Sequence, residues 1–295
     1  MSDNHNYRNI TEIKLADLAN ELGDYELAIQ FYSKVLNRLK INPDNRIVPV
    51  MNENDLVQRI EKLNKSEFRG KSILKSDTWT LTKSSFVKGK QCLKYLYLDK
   101  HKKHEKTPIS KEKQELFNQG RTFEELVRNN EFPDGINIKD QVAIFEYFNS
   151  YTSHVLSTPI SKTIYEATII EDDVLVMCDI LFKDENGMID IYEIKLNTEI
   201  NDAILNDLSI QYAICKKRFN SKLNSFNLIL RTDQNGKNWK VENLTASLEK
   251  LTNDVYFKIS DYKDVLTKEE PILKMGEHCK KPYECEFIEY CKKQH

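Results

Sequence analysis

The sequence predicts an α/β fold, a central mixed sheet flanked by helices, with a small helical segment ahead of it. Three observations predict it. Residues 174–195 (VLVMCDILFKDENGMIDIYEIK) read as two apolar strands joined by a tight turn. From residue 81 onward strand and helix patterns interleave, which favours a sheet covered by helices. Residues 1–75 carry helical patterns and no strand pattern, and form the expected N-terminal segment.

The elements follow in order. Residues 11–40 repeat apolar positions at helical spacing (LADLANELGDYELAIQFYSKVLNRLK), and a second helix is expected near 53–65. Gly23, Tyr25, Ala28, Tyr32 and Val35, followed by Pro43, resemble one tetratricopeptide repeat; an ordinary amphipathic hairpin is the alternative. A single repeat cannot bury its own face, so it must pack on the following domain or on a protein partner. Residues 66–80 read as a linker. The main domain, 81–295, opens with a cap-like Thr82 or Ser84 and a helix through LTKSSFVKGKQCLKYLYLDKH. Lys111–Asn129 is a helix, 138–156 a strand and a helix, and Ile164–Ile170 a strand before the hairpin. Ala203–Phe219 is a helix, 226–231 a strand, and Asp233-Gln234-Asn235-Gly236 a turn into a strand near Trp239. A helix follows at about 245–258.

Composition narrows the classes. The chain has 295 residues, is 40% hydrophobic and carries a formal net charge of −2. A packed core is expected, and a global electrostatic pull toward nucleic acid is not. Residues 83–113 are locally basic, with Lys83, Lys88, Lys90, Lys94, Lys100, Lys102, Lys103, Lys106, Lys111 and Lys113 against three acids. Such a run neutralises phosphates or forms a solvated face. No apolar stretch is long enough to span a bilayer and MSDNHNYRN is no signal peptide, so a cytoplasmic protein without a membrane partner is expected.

The hairpin holds the chemistry. Side chains alternate along a strand, so Glu193 and Lys195 share a face with Ile189 and Ile191, while Asp179 shares one with Leu175, Met177 and Leu181. A two-residue Asn186-Gly187 turn would separate the two sets. A three-residue loop, Glu185-Asn186-Gly187, puts glycine at the left-handed position and sets Asp179 opposite Glu193. The two carboxylates would then have Cβ atoms roughly 5 Å apart. Acids that close repel unless a divalent cation lies between them. Lys195 would orient or deprotonate a water, or stabilise charge on a phosphate.

The six cysteines fall into two groups. Cys279, Cys285 and Cys291 lie in GEHCKKPYECEFIEYC, and Cys92 stands far upstream in FVKGKQCLKYLYL. Four thiolates suit zinc or an iron–sulfur cluster, and the spacing lacks the paired knuckles of zinc ribbons. His278 adjoins the first of the trio. Cys178 and Cys215 read as ordinary buried cysteines.

An acid on one strand (CDI), then acid-x-lysine on the next (YEIK), resembles the PD-(D/E)XK nuclease superfamily. An upstream cysteine with a C-terminal trio is similar to its RecB-like branch, which includes the AddB nuclease domain and the CRISPR-associated RecB-like exonucleases. The resemblance covers about residues 81–293. It implies a restriction-endonuclease-like core and hydrolysis of phosphodiester bonds, with DNA favoured over RNA. It implies magnesium or manganese at Asp179 and Glu193, and a 4Fe–4S cluster on Cys92, Cys279, Cys285 and Cys291. It also implies a site role for Gln211, the glutamine of the following helix. Relatives carry glycine and, four residues later, a metal-ligating histidine. Here Gly120 precedes Glu124, with Glu125 and Glu166 as alternative third acids. The alternative function is a catalytically degenerate nuclease fold that binds nucleic acid or protein.

Overall fold

Helix caps and strand alternation set the element boundaries. A computed structural model describes residues 2–41, 51–66, 73–233 and 238–294. In chain order the helices are α1 (Ser2–Glu21), α2 (Tyr25–Ile41), α3 (Glu53–Asn64), α4 (Lys83–Gln91), α5 (Leu93–His101), α6 (Lys111–Glu131), α7 (Ile138–Gln141), α8 (Phe148–Ser157), α9 (Asp202–Phe219), α10 (Thr245–Glu249), α11 (Thr252–Val265) and α12 (Ile288–Lys292). The strands are β1 (Leu81–Thr82), β2 (Ile136–Asn137), β3 (Lys162–Glu171), β4 (Val174–Lys183), β5 (Ile189–Lys195), β6 (Leu223–Arg231) and β7 (Trp239–Asn243). The chain is α/β, with a mixed sheet flanked by helices and further helices at its N-terminal end.

Two units divide it: Met1–Thr78 with Ile136–Pro159, and Trp79–Gly135 with Ile160–His295. The division by sequence order, 1–75 and 81–295, left 138–156 in the main domain. The structure instead groups 136–159 with the N-terminal helices.

In the first unit α1 and α2 form a hairpin. Gly23 turns it at φ 78°, a left-handed conformation that glycine adopts without steric cost. The Asp24 side chain accepts a hydrogen bond from the Leu27 amide and so caps α2. Leu15, Ala16 and Ala19 of α1 and Ala28, Tyr32 and Val35 of α2 are buried. α3 starts in a reciprocal Asn52–Asp55 capping box and packs on α2. Pro43, residues 67–72 of the expected linker and residues 234–236 of the expected turn lie outside the described residues.

In the second unit the long strands run in the order β3-β4-β5-β6-β7. Pairing is antiparallel except between β5 and β6, and short β1 joins β4 in parallel. α6 covers one face, where Phe123 and Val127 pack with Ile180, Ile194 and Ile229. α9 is buried along Ile204, Leu208 and Gln211 and packs on β3, β4 and β6. Thr82 and Ser85 make a capping box that starts α4. The helix expected to continue through residue 101 breaks at Cys92, whose backbone is extended (φ −165°, ψ 124°). The helix expected over 245–258 is likewise two helices, α10 and α11.

The lysine run is largely neutralised within its own unit. Lys88 bonds Asp99 at 2.7 Å, and Lys106 bonds Asp99 at 2.5 Å and Glu286 at 3.1 Å. Lys94 is buried and bonds Glu270 at 3.0 Å. Lys100, Lys103 and Lys111 remain exposed. Asp99 lies within the run, whereas Glu270 and Glu286 reach it from the far end of the chain.

Candidate active site

The hairpin turn sets the register. Lys183 pairs with Ile189, Leu181 with Ile191 and Ile180 with Tyr192. Gly187 sits in the loop at φ 80°, and its amide donates to the Asp184 carbonyl at 3.1 Å. This is the three-residue loop, and extending its register by one pair sets Asp179 against Glu193. The ladder opens there. The Ile194 amide donates not to a carbonyl but to Asp179 Oδ2, at 2.8 Å. An aspartate side chain thus substitutes for a backbone acceptor at the point where the two strands part.

Glu193 is buried and its carboxylate fully engaged. Its Oε1 accepts from Lys83 Nζ at 2.5 Å and from Lys195 Nζ at 2.9 Å. Its Oε2 accepts from Gln211 Nε2 at 2.8 Å. Lys83 Nζ also donates to Gln211 Oε1 at 2.7 Å. Asp207, one helical turn before Gln211 on α9, lies 2.8 Å from Lys195 Nζ and 3.3 Å from Lys83 Nζ. Gln211 therefore spends its amide on site side chains rather than on backbone.

The other acids approach from α6 and β3. Arg128 of α6 is buried, pairs with Glu124 and donates to Glu166 Oε1 at 3.1 Å. The same guanidinium donates to the Asp179 carbonyl at 2.9 Å and stacks over the Tyr165 ring at 4.8 Å. Glu166 is left-handed (φ 57°) and falls out of the β3–β4 pairing between Tyr165 and Ala167. The register is the same on both sides, so Glu166 lies opposite Asp179 with one residue unpaired on each strand. Glu125 is exposed to solvent.

These contacts divide the charge unevenly. Burial, then the charges of Glu193 and Glu124, push the Asp179 carboxyl well above the usual range, against the pull of Lys195 and Lys83. Burial also works against ionised Glu193, but Lys195 and Lys83 outweigh it and hold its carboxyl down at about 2. Burial disfavours both ammonium groups, yet neighbouring acids raise Lys83, and hold Lys195 well above the usual lysine value. The site is a cluster of carboxylates in which two lysines stabilise ionised Glu193, while burial and two neighbouring acids oppose ionisation of Asp179. A divalent cation would relieve that repulsion.

The second group of candidates lies in the same unit. Cys92, Cys279, Cys285 and Cys291 line one pocket, and all four are free thiols. Cys92 caps α4 and α5, and the Cys285 amide donates to the Cys279 carbonyl at 2.9 Å. Gln91 draws the C-terminal segment in by donating to the His278 carbonyl at 2.7 Å and the Tyr283 carbonyl at 2.8 Å. Burial first, and then the neighbouring thiols, raise Cys285 to about 11 and also raise Cys92 and Cys291. These shifts keep the thiols protonated, and a metal ion would have to displace their protons to bind them. His278 lines the same pocket. Cys178 and Cys215 are fully buried, with sulfurs 3.6 Å apart.

The structure thus brings Glu193, Lys195 and Gln211 into direct contact, sets Asp179 across the opened ladder, and gathers the four cysteines elsewhere. Among the described residues, no three His, Cys, Asp or Glu side chains are already arranged to hold a metal ion. Sequence reasoning missed Asp207 and Arg128 as site residues, and placed Lys83 only in a basic run. Asp207 and Gln211, like Glu124 and Arg128, are four apart on a helix, a spacing that marks a shared face. Among the described residues, no helix is long and apolar enough to cross a membrane. No protein-family model matches the chain, and no protein of curated function matches it.

Proposed function

We propose that the chain is a metal-dependent nuclease of the PD-(D/E)XK type, with DNA as the favoured substrate and a structural 4Fe–4S cluster. One observation carries the reading: a buried acid-x-lysine strand whose Glu193 and Lys195 meet Gln211, beside an aspartate that replaces a backbone acceptor in the neighbouring strand. Acids and lysines are seldom buried together without a function or a tight pairing.

Asp179 and Glu193 would hold magnesium or manganese, with Glu124 as the third acid. The ion would supply Lewis-acid polarisation of the phosphate and a lowered pKa for a bound water. Gln211 fixes Glu193 through Oε2, so the carboxylate cannot rotate away from Asp179. Lys195, kept protonated by the acids around it, orients the attacking water or stabilises charge on the phosphate; its raised pKa argues against a role as base. Arg128 holds Glu124 and the Asp179 backbone in place. Cys92, Cys279, Cys285 and Cys291 would hold the cluster, which cross-links the start of the unit to its end. A second reading, a catalytically silent nuclease fold that binds nucleic acid, draws on the full engagement of Glu193 by its neighbours.

The test is cleavage of labelled single-stranded and duplex DNA, and of RNA, with manganese present. The wild-type protein should cut, and Asp179→Ala and Lys195→Ala should lose at least ~100-fold in rate. Cleavage by both variants at the wild-type rate would show that the activity lies elsewhere. A wild type that binds DNA without cutting it favours the silent fold.

A further inference from the structure

Lys83 contributes the shortest contact that the buried glutamate receives, yet it comes from outside the acid-x-lysine motif. It is the first residue of α4, and the Thr82–Ser85 capping box fixes that helix end. Its ammonium reaches Glu193 Oε1 at 2.5 Å, Gln211 Oε1 at 2.7 Å and Asp207 Oδ2 at 3.3 Å. Lys195 bonds the same Glu193 oxygen and the same Asp207 oxygen, at 2.9 Å and 2.8 Å. Two ammonium groups thus share one carboxylate oxygen and have one common alternative acceptor.

We infer that Lys83 is a positioning residue that occupies the cation's side of Glu193 until a divalent ion enters, and then transfers to Asp207 and Gln211. The inference rests on the metal-dependent reading above and deepens it. The geometry supplies both end states. With Glu193 occupied elsewhere, Lys83 keeps Gln211 Oε1 and Asp207 as acceptors, so no charged group is left unpaired in the cleft. Asp207 needs no contact with an ion to act in this way. Its part is to receive the displaced ammonium, which lowers the cost of vacating Glu193. The site therefore admits a cation by exchanging partners rather than by opening a preformed cage, and this agrees with the absence, among the described residues, of three ligands already arranged for a metal.

Two substitutions predict opposite shifts in manganese affinity, read by calorimetry or by the spin signal of free manganese. Lys83→Met removes the competing ammonium and should tighten binding by about tenfold, while slowing cleavage because Glu193 and Gln211 lose their shared donor. Asp207→Asn removes the charged alternative acceptor, keeps both ammonium groups on Glu193, and should weaken binding by about tenfold. Circular dichroism confirms that each variant is folded before it is titrated. If either variant is unfolded, Lys83→Gln and Asp207→Ser carry the same comparison. Asp179-dependent manganese binding in the wild type, with affinity unchanged or weakened by loss of the Lys83 charge, overturns this inference alone. A wild type with no Asp179-dependent manganese binding overturns it together with the metal-dependent reading.

Discussion

Replacing Asp179 by asparagine should stabilise the metal-free protein at neutral pH and abolish its activity. Asp179 accepts the Ile194 amide through Oδ2, and an asparagine carbonyl keeps that bond. The substitution removes the negative charge that burial, Glu193 and Glu124 all oppose. Two unit charges ~5 Å apart repel by about 3 kcal/mol at an effective dielectric near 20. Lys195 and Lys83 offset much of this, which leaves a net gain of about 1 kcal/mol. For a unit of this size that raises Tm by about 2–4 °C. The sign depends on pH. A carboxyl whose folded pKa is raised contributes stability that is complete below its unfolded value of 3.8 and is lost as pH rises through the folded value. Asparagine does not titrate, so its advantage is absent in acid and grows toward neutrality. Glu193 has the opposite dependence, losing its contribution only as pH falls through about 2, and it is common to both proteins. Manganese should reverse the order, because only the wild type gains from the ion, by about 2.7 kcal/mol at a hundredfold excess over Kd. Asp179→Ala serves as the control: it loses the Ile194 bond and should sit about 1 kcal/mol below the asparagine variant. The measurement is thermal unfolding with and without manganese at several pH values. An asparagine variant that melts below wild type at pH 7.5 without metal would refute the repulsion argument.

Two further outcomes test the periphery of the site. Glu124→Gln should weaken manganese binding about tenfold by removing the third acid, whereas Glu125→Gln, on the solvent side of α6, should leave it unchanged. Equal effects would place the third ligand elsewhere, with Glu166 next to examine. Protein purified without oxygen should be brown and carry about four iron atoms per chain, and Cys92→Ser should lose both the colour and several degrees of Tm. Colourless protein with stoichiometric zinc would replace the cluster with a zinc site on the same thiols.

The hairpin was legible because parity and loop length are both written in the sequence. Gly187 at the end of a three-residue loop leaves one register in which the acids face each other, and the pairing of Ile180 with Tyr192 follows it. α6 was legible from apolar positions at helical spacing, whereas α9, buried without a break from Leu208 to Cys215, was legible mainly from its apolar content. Other features left no local signal. Residues 83–101 carry an unbroken helical pattern with no proline, so the extended backbone at Cys92 follows from tertiary packing rather than propensity. Glu166 lies within YEATI, where nothing announces a left-handed residue in a strand. Lys83 meets Glu193 across 110 positions, and a lysine among ten in a basic run shows no mark of burial. The pairing of that run with Glu270 and Glu286 is non-local in the same way.

The break at Cys92 gives the two candidate centres a common support. α4 starts at Lys83, in contact with Glu193, and ends at Cys92, which lines the cysteine pocket. Nine helical residues span about 14 Å, so one rigid element joins the carboxylate cluster to the thiols. Its middle is closely packed: a Cβ at Gly89 would fall 2.7 Å from the Tyr262 ring of α11. Had the helix continued through Cys92, that thiol would take a helical orientation instead of the extended capping position it holds. The extended residue therefore does two things at once. It places one thiol beside the C-terminal trio, and it fixes the far end of the helix that delivers Lys83 to Glu193. If the proposed nuclease reading holds, a group bound by the cysteines would need no electronic role in hydrolysis to affect it, since it would anchor the far end of the helix that carries Lys83.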